Sequence, residues 1–139
     1  MRLYLDTSVL LRVVLGQPNR LAAFAQAKRA ETSALTRVEA LRTLDRHFQR
    51  GLLDIQTFSA ARASALDLLG RVDRIALSPA VLERAAEPFP TPLGTLDALH
   101  LATALAARAR LAEPLVMATH DRDLAQAARS VGFLVLGVE

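Results

Sequence analysis

The first eight residues, Met1-Arg2-Leu3-Tyr4-Leu5-Asp6-Thr7-Ser8, contain the pattern that decides the fold. A short apolar run from Leu3 to Leu5 predicts a strand, and it ends at an acid, after which the apolar stretch over 8–15 favours a helix. A buried strand leading directly into a helix is typical of α/β domains. Asp6 also interrupts the apolar run that a secretory signal peptide needs, so we expect a cytoplasmic protein.

The same alternation of strand and helix continues along the chain. Further strands are predicted over residues 32–35, 72–77, 115–118 and 133–136, and helices over 19–28, 37–50, 54–69, 95–110 and 122–131, with a short one opening at Pro79. Gly51 and Gly70 are read as the ends of their helices, and the proline-rich stretch 88–92 as a loop. Strands separated by helices require right-handed crossovers. We therefore predict a three-layer α/β/α sandwich with a mostly parallel five-stranded sheet, in one domain over 1–139.

Composition removes several classes of protein. The 139 residues include no cysteine, which excludes a disulfide framework, a zinc finger and a thiol nucleophile. Any metal must therefore be held by oxygen or imidazole ligands. No apolar run approaches the roughly 18 residues of a membrane span, so no contact with a membrane is expected.

The charge is mildly basic and unevenly distributed. Seventeen basic residues against fourteen acidic ones give +3, but the first 50 residues hold nine basic and four acidic side chains. Such an excess suits an anionic partner such as nucleic acid. It fits equally well an arginine-rich composition set by the genome, so the charge is supporting evidence only. The candidate phosphate contacts include Arg12, Arg20, Arg29, Arg37, Arg42 and Arg46.

Four acids are predicted to meet at one edge of the sheet. Asp6 and Asp121 follow strands directly, whereas Glu39 and Asp97 lie in the first turns of helices. In open parallel sheets, ligands bind outside the carboxyl ends of the strands. Converging carboxylates repel one another unless they are protonated or bridged by a cation. Oxygen ligands select a hard ion such as Mg²⁺ or Mn²⁺.

Each acid also has a structural interpretation. Asp6 and Asp121 could cap the helices that follow them, and Asp97 could favour the positive end of its helix dipole. The segment Thr36-Arg37-Val38-Glu39 fits the capping box, in which the glutamate binds the backbone at the start of the helix. Taken singly, these interpretations are the better ones. The joint placement of the four acids favours a metal site.

Neighbouring polar residues fit the same site. Thr7 or Ser8, together with Thr119, can hydrogen-bond the carboxylates at the strand ends. Asp123 competes with Asp121 for the last acidic position, but we favour Asp121, because Asp123 lies two residues into a helix. Of the three histidines, His100 is expected to be packed rather than catalytic, and His47 and His120 are expected to lie at the surface.

Other enzyme classes lack their motifs. The chain has no G-x-G-x-x-G dinucleotide fingerprint and no G-x-S-x-G nucleophile elbow. The sole lysine, Lys28, follows alanine rather than the glycine of a P-loop. The triplet Asp6-Thr7-Ser8 has no second aspartate two residues on, as an aspartyl-phosphate phosphatase would need.

The acidic segments resemble those of a known family. The strand before Asp6-Thr7-Ser8, Glu39 on a long helix, the segment TLDALHLA at 95–102 and the segment THDRDL at 119–124 look like the four motifs of PIN-domain ribonucleases, and more narrowly like those of VapC toxins. The similarity covers essentially the whole chain. The segment around Asp97 is its most specific part, while three prolines within 88–94 depart from the pattern.

The resemblance carries functional expectations. It implies that Asp6, Glu39, Asp97 and Asp121 are the catalytic residues and hold one or two Mg²⁺ or Mn²⁺ ions, and that a metal-activated water cleaves RNA to leave 5′-phosphate and 3′-OH ends. It implies a homodimer and a cognate antitoxin protein. The apolar residues Leu52, Leu53, Ile55 and Phe58 are interpreted first as core and second as part of a groove for that partner.

Two other functions remain open at the level of sequence. A catalytically silent domain of the same fold could bind RNA or protein, with its acids acting only as helix caps. A metal-dependent nuclease could instead act on DNA or in RNA processing. The retention of all four acids argues against the silent domain, and the sequence does not separate a toxin from a processing nuclease.

Overall fold

The structure, a computed structural model, describes residues 1–18 and 29–138. The strands of this part are β1 (Arg2–Leu5), β2 (Arg29–Ser33), β3 (Asp73–Ile75), β4 (Leu115–Ala118) and β5 (Val135–Leu136). Its helices are α1 (Thr7–Val14), α2 (Leu35–Gln49), α3 (Ile55–Arg71), α4 (Pro79–Ala86), α5 (Thr95–Arg110) and α6 (Arg122–Ser130). The helix predicted over 19–28, with its Arg20, lies outside the described residues.

The five strands form one sheet in the order β3-β2-β1-β4-β5, and every neighbouring pair is parallel. The predicted fold class is therefore confirmed. The chain builds outward from β1 in one direction through β2 and β3 and in the other through β4 and β5. The order of strands thus reverses between β1 and β4. A crevice at the carboxyl ends of such a strand pair is where open α/β sheets bind ligands.

Alternation along β1 explains the three layers. Tyr4 packs with Leu101 of α5 and Leu124 of α6 on one face of the sheet. Leu3 and Leu5 point to the opposite face and pack with α1. Helices α1, α2 and α3 share a second buried cluster on that side. Since both faces are covered, β1 is buried along its whole length, as parallel strands generally are.

Two boundaries differ from the prediction near β2. The strand was predicted over 32–35 but spans Arg29–Ser33, because Arg29, Ala30 and Glu31 all pair with β1. Leu35 already belongs to α2, which begins two residues before the predicted start. The strands predicted over 72–77 and 133–136 shorten to three and two residues, respectively. Pairing with distant strands, which local sequence does not encode, sets these limits.

The two glycines predicted to end helices behave differently. Gly51 has φ +73° and ends α2, with its N–H bonded to Phe48 O and the next N–H bonded to His47 O. Gly70 does not end α3, which continues to Arg71. An exposed ion pair between Arg71 and Asp67, at 2.9 Å, spans this last turn. The second prediction was therefore wrong, since glycine weakens a helix without obliging it to stop.

Among residues 1–18 and 29–138, no helix combines the length and the apolar character needed to cross a membrane.

Candidate metal and nuclease site

Asp6 lies at the carboxyl end of β1, at the reversal of strand order. Its backbone N–H continues the ladder to Ala118 O, at 3.0 Å, which fixes the direction in which the side chain leaves the sheet. Its Oδ2 accepts hydrogen bonds from Ser8 Oγ and Thr119 Oγ1, both at 2.8 Å. The buried carboxylate is thus held from α1 and from the end of β4. The predicted orienting roles of Ser8 and Thr119 match this geometry.

Asp121 follows β4 and begins α6. Its Oδ1 accepts from the N–H of Leu124 at 2.9 Å, so it caps the helix. Its own N–H donates to Thr119 Oγ1 at 3.0 Å. Thr119 therefore links the backbone of one acid to the side chain of another, Asp6. This arrangement keeps the two acids at the same end of the sheet.

Glu39 projects from α2 toward α5. Its Oε1 accepts from Thr7 Oγ1 at 2.8 Å and lies 2.6 Å from His100 Nε2. His100 is only 1% exposed, and its other ring nitrogen is 2.9 Å from the hydroxyl of Tyr4. The histidine is packed and hydrogen-bonded, as predicted. The sequence predicts Tyr4 in a strand, but nothing local to it indicates that it orients His100 from 96 residues away.

Asp97 stands in the first turn of α5, half-buried. Burial, together with repulsion from Asp121 and Asp6, raises the pKa of this carboxyl to about 6. The positive charge of His100 opposes this rise only in part. The electrostatic coupling places Asp97 within the field of the other acids. No described residue, within 1–18 and 29–138, donates it a hydrogen bond. Among the four candidate acids, Asp97 is therefore the one whose negative charge is offset by the fewest hydrogen bonds.

For the pair His100 and Glu39, unlike Asp97, the pKa shifts favour the charged forms. Burial raises the pKa of Glu39, but the hydrogen bond and charge of His100, with the hydrogen bond from Thr7, outweigh it and leave the pKa lowered. Burial lowers the pKa of His100, and the hydrogen bond to Glu39 with the charges of Asp6, Glu39 and Asp97 reverses this. Both shifts favour an ion pair, in which the imidazolium of His100 offsets the carboxylate of Glu39 and also faces Asp6 and Asp97.

Of the four acids, only Asp121 has the helix-capping role that its sequence position also suggested. Asp121 does cap its helix. Asp6 precedes α1 and Asp97 lies within α5, and neither helix has a side-chain cap. The capping box at Thr36 and Glu39 is absent because α2 begins at Leu35, so that Glu39 faces the site instead of the helix start. For these three acids, capping does not account for their placement.

The chemistry of the donors fits a hard divalent cation. Hydrogen bonds occupy Oδ2 of Asp6, Oε1 of Glu39 and Oδ1 of Asp121, leaving the second oxygen of each without a hydrogen bond from the described residues. The second oxygens of Glu39 and Asp121 are thus available to a ligand, whereas Oδ1 of Asp6 lies 3.6 Å from His100 Nε2. No three acidic or histidine side chains of the described ranges are drawn together around one point.

The other predicted residues lie further from this cluster or outside it. Asp123 is exposed on α6, consistent with the preference for Asp121. His120 and His47 are partly buried rather than fully exposed, and His120 Nδ1 contacts Gly137 O at 3.0 Å. The apolar set of the α2–α3 turn is divided: Leu53 and Phe58 pack on the core, and Leu52 and Ile55 are 66% and 58% exposed.

The all-parallel sheet and the acids at its carboxyl end define an α/β domain with a candidate metal site, and comparison with known proteins identifies its family. The model of the PIN domain family matches residues 3–130. The chain therefore belongs to the PIN domain family, as its motifs predicted.

Within that family the chain is similar to proteins named as VapC ribonucleases. Ribonuclease VapC47 of Mycobacterium tuberculosis is 30% identical over 139 residues, covering 95% of this chain and 93% of that protein. A toxin–antitoxin complex from Klebsiella pneumoniae superposes with a TM-score of 0.69 at 18% identity over 98% of both chains. VapBC2 from Rickettsia felis, bound to a fragment of promoter DNA, gives 0.64 at 16% identity over 97% of both. These structures share the fold.

Proposed function

We propose that the chain is a Mg²⁺- or Mn²⁺-dependent endoribonuclease and the toxin of a type II toxin–antitoxin system. The observation that carries the proposal is the placement of four acids, from four separate segments, at the carboxyl end of the sheet, where the charges of Asp121, Asp6 and Glu39 act on Asp97. The raised pKa of Asp97 supports it, since buried like charges are a cost that a cation offsets. The named ribonuclease relatives support RNA as the substrate, and the toxin–antitoxin neighbours support the biological role.

In this mechanism Asp6, Glu39, Asp97 and Asp121 are the catalytic acids and would hold the cation through carboxylate oxygens. A divalent cation in such a site acidifies water and stabilises negative charge on a phosphate. Ser8 and Thr119 hold Asp6, and Thr7 and His100 hold Glu39, so the carboxylates are oriented before the substrate arrives.

Hydrolysis follows from this arrangement without a side-chain nucleophile. The oxygen of water bonds to phosphorus and loses a proton to solvent, the bond from phosphorus to O3′ breaks, and O3′ takes up a proton from solvent, so the products carry a 5′-phosphate and a 3′-OH. Both ring nitrogens of His100 are engaged, by Tyr4 and by Glu39. His100 is therefore a positioning residue in this proposal rather than the general base.

The proposal includes two partners, a cognate antitoxin and a second copy of the chain. The exposed Leu52 and Ile55 at the α2–α3 turn are the apolar surface that we assign to the antitoxin. A homodimer is proposed from the family resemblance, and sedimentation of the purified protein tests it.

The test is cleavage of RNA by the purified protein. We expect cleavage in Mg²⁺ or Mn²⁺, its loss in EDTA, and its loss in the double variant Asp6→Asn/Asp97→Asn. The matched control is Asp123→Asn, which neutralises an exposed acid on α6 and leaves cleavage intact. Cleavage that persists in the double variant or in EDTA would overturn the mechanism, and RNA binding without any cleavage would favour the silent domain.

The toxin role has a separate test in cells. Expression of the chain alone is expected to arrest growth, and co-expression of a short neighbouring reading frame to relieve the arrest. Asp97→Asn should abolish the arrest if cleavage causes it. An arrest that Asp97→Asn leaves undiminished would separate toxicity from catalysis.

A further inference from the structure

A cavity of about 320 Å³ lies beside the acid cluster. One face of α2 forms one wall, and Leu96, the residue before Asp97, lines the cavity from α5. Its size is at the lower end of the range of about 300–1,000 Å³ for small-molecule sites. Glu39 belongs to both the cavity and the acid cluster. A ligand in this cavity would therefore touch the candidate catalytic centre.

The walls of the cavity change from apolar to basic with distance along α2. Val38 is 56% exposed and Leu96 50% exposed, and both line the cavity. Arg42 and Arg46 follow Val38 at intervals of four residues, which places all three on one side of the helix. The apolar pair lies beside the acids, and the two guanidinium groups continue away from them.

The two arginines are available to an anion. Arg42 pairs with Asp45 at 2.9 Å, but the arginine side chain is 65% exposed and that of Asp45 is 37% exposed, and such surface pairs contribute little stability. Arg46 has no ion-pair partner among the described ranges. A phosphate can therefore replace the contact with Asp45 at small cost. Apolar walls suit an uncharged base, and the basic end suits a phosphate.

We propose that this cavity is a nucleotide subsite for single-stranded RNA, in which a base next to the scissile phosphate lies between Val38 and Leu96 and the backbone beyond it binds Arg42 and Arg46. The inference rests on the proposed function, whose substrate site it extends. An unpaired strand fits because an unstacked base can enter a cavity that a paired base cannot. The two side chains that would contact the base, Val38 and Leu96, are aliphatic and discriminate weakly between bases, so recognition here is of an unpaired nucleotide rather than of a sequence.

The experiment measures binding separately from cleavage. The parent is the full chain carrying Asp6→Asn/Asp97→Asn, titrated with a fluorescent single-stranded RNA oligonucleotide over a range of salt concentrations. Into it we introduce Arg42→Gln/Arg46→Gln. The matched control is Arg62→Gln/Arg71→Gln on α3, which removes the same charge and likewise includes one arginine of an exposed ion pair. All variants are checked for an unchanged circular dichroism spectrum and thermal transition.

The subsite predicts two distinct signatures. Loss of Arg42 and Arg46 should weaken binding about tenfold and reduce the slope of log affinity against log salt by about 1.4, the value for two phosphates on a single strand. Val38→Ser/Leu96→Ser should weaken binding about threefold with an unchanged slope, because only contact with the base is lost. The α3 control should match the parent in both quantities.

Three outcomes would overturn the subsite. One is equal loss of affinity in the α2 and α3 arginine variants, which would mean unspecific charge attraction. Another is a change from dimer to monomer on sedimentation of Val38→Ser/Leu96→Ser with unchanged RNA affinity, which would assign the cavity to a second copy. The third is no binding of RNA by the parent. Failure of the proposed function shows separately, as absence of cleavage by the wild-type protein in Mg²⁺.

Discussion

His100 shows what a single residue in this site depends on. Its imidazole contacts Tyr4 from β1 and Glu39 from α2, with Thr7 Oγ1 at 3.3 Å from Nε2. The sequence indicates that His100 lies three residues after Asp97 on a helix, and this predicts burial. It cannot indicate the hydrogen-bond partners, because these lie 61 to 96 residues away and meet only when the sheet is assembled.

Asp97→Asn is expected to stabilise the protein when cations are removed. The pKa of Asp97 is about 6 in the folded state, raised by burial and by Asp121 and Asp6, whereas its ordinary value is 3.8. The folded protein therefore binds the proton more tightly than the unfolded chain, and stability falls as pH rises through this interval. In EDTA at pH 8 the variant should melt at a higher temperature than the wild type, as measured by differential scanning fluorimetry.

The same comparison has an internal control. Below about pH 3 the wild-type carboxyl is mostly protonated in both states, so the difference between the two melting temperatures should disappear. Adding Mg²⁺ at pH 8 should raise the melting temperature of the wild type more than that of the variant, since ligand binding to the folded state stabilises it. A variant that melts below the wild type in EDTA at pH 8 would show that Asp97 is not electrostatically strained.

Gly137 is the glycine that the site cannot replace. It has φ +103°, and a Cβ at this position would overlap the carbonyl oxygen of Thr119, the residue that holds Asp6. Gly137→Ala should therefore lower the free energy of unfolding by about 1–3 kcal/mol and reduce RNA cleavage. Urea denaturation measures the first effect and a cleavage assay the second.

Gly70→Ala is the control for this substitution. Gly70 lies inside α3, and nothing would stand within 4 Å of an added Cβ. Alanine there should raise the stability by about 0.5–1 kcal/mol and leave cleavage unchanged. If the two alanine variants have equal stability, the close contact of Gly137 with Thr119 is not maintained in solution.

At the scale of elements, local sequence pattern predicts whether a helix or a strand forms better than it predicts the residues at which that element begins and ends. Helix α5 was predicted at the limits observed, Thr95–Arg110, because its apolar periodicity is strong and Gly94 precedes it. Strand β2 was misplaced because its polar residues Arg29 and Glu31 carry no strand signal, and only pairing with β1 extends it. The edge of the sheet at which the acids meet was predictable, since it follows from strand ends; the contacts that orient the acids were not.

Helix α4 depends on the residue that caps its start, Ser78, and this dependence can be measured. Ser78 Oγ accepts from the N–H of Val81 at 3.2 Å, and Pro79 occupies the first turn. Ser78→Ala should lower the free energy of unfolding by about 1 kcal/mol in urea denaturation. Ser64→Ala, at an exposed position within α3, is the matched control and should be neutral or slightly stabilising. Equal effects would show that the cap does not form in solution.

At the scale of the whole molecule, the acids at the two ends of the sheet differ in whether an arginine pairs with them. The carboxyl end carries the four acids. At the amino end, the buried Arg2 lies 3.0 Å from Glu31 and 3.1 Å from Glu113. The net charge of +3 conceals this division, because it averages an acidic centre with the arginines around it. Composition alone could predict an anionic partner but not where that partner would lie.

The surface assigned to the antitoxin gives a prediction at this scale. In the proposed toxin role, Leu52→Ser/Ile55→Ser should weaken neutralisation by the proposed antitoxin, because it removes exposed apolar area, while RNA cleavage by the chain alone stays unchanged. Leu134→Ser, which alters an exposed leucine near β5, is the control. Inhibition assays with the purified antitoxin measure the effect; neutralisation equal to wild type in the double variant would move the interface elsewhere.

The central position of β1 has a consequence for how the chain is made. One edge of this strand pairs with β2, and its other edge pairs with β4, which lies more than 100 residues further along the chain. Thr119, which orients Asp6, and Asp121 come later still. During synthesis Asp6 is therefore made long before the residues that hold it, and the four acids can share one end of the sheet only after β4 has paired with β1. The candidate site thus depends on the strand pairing with the greatest sequence separation in the sheet.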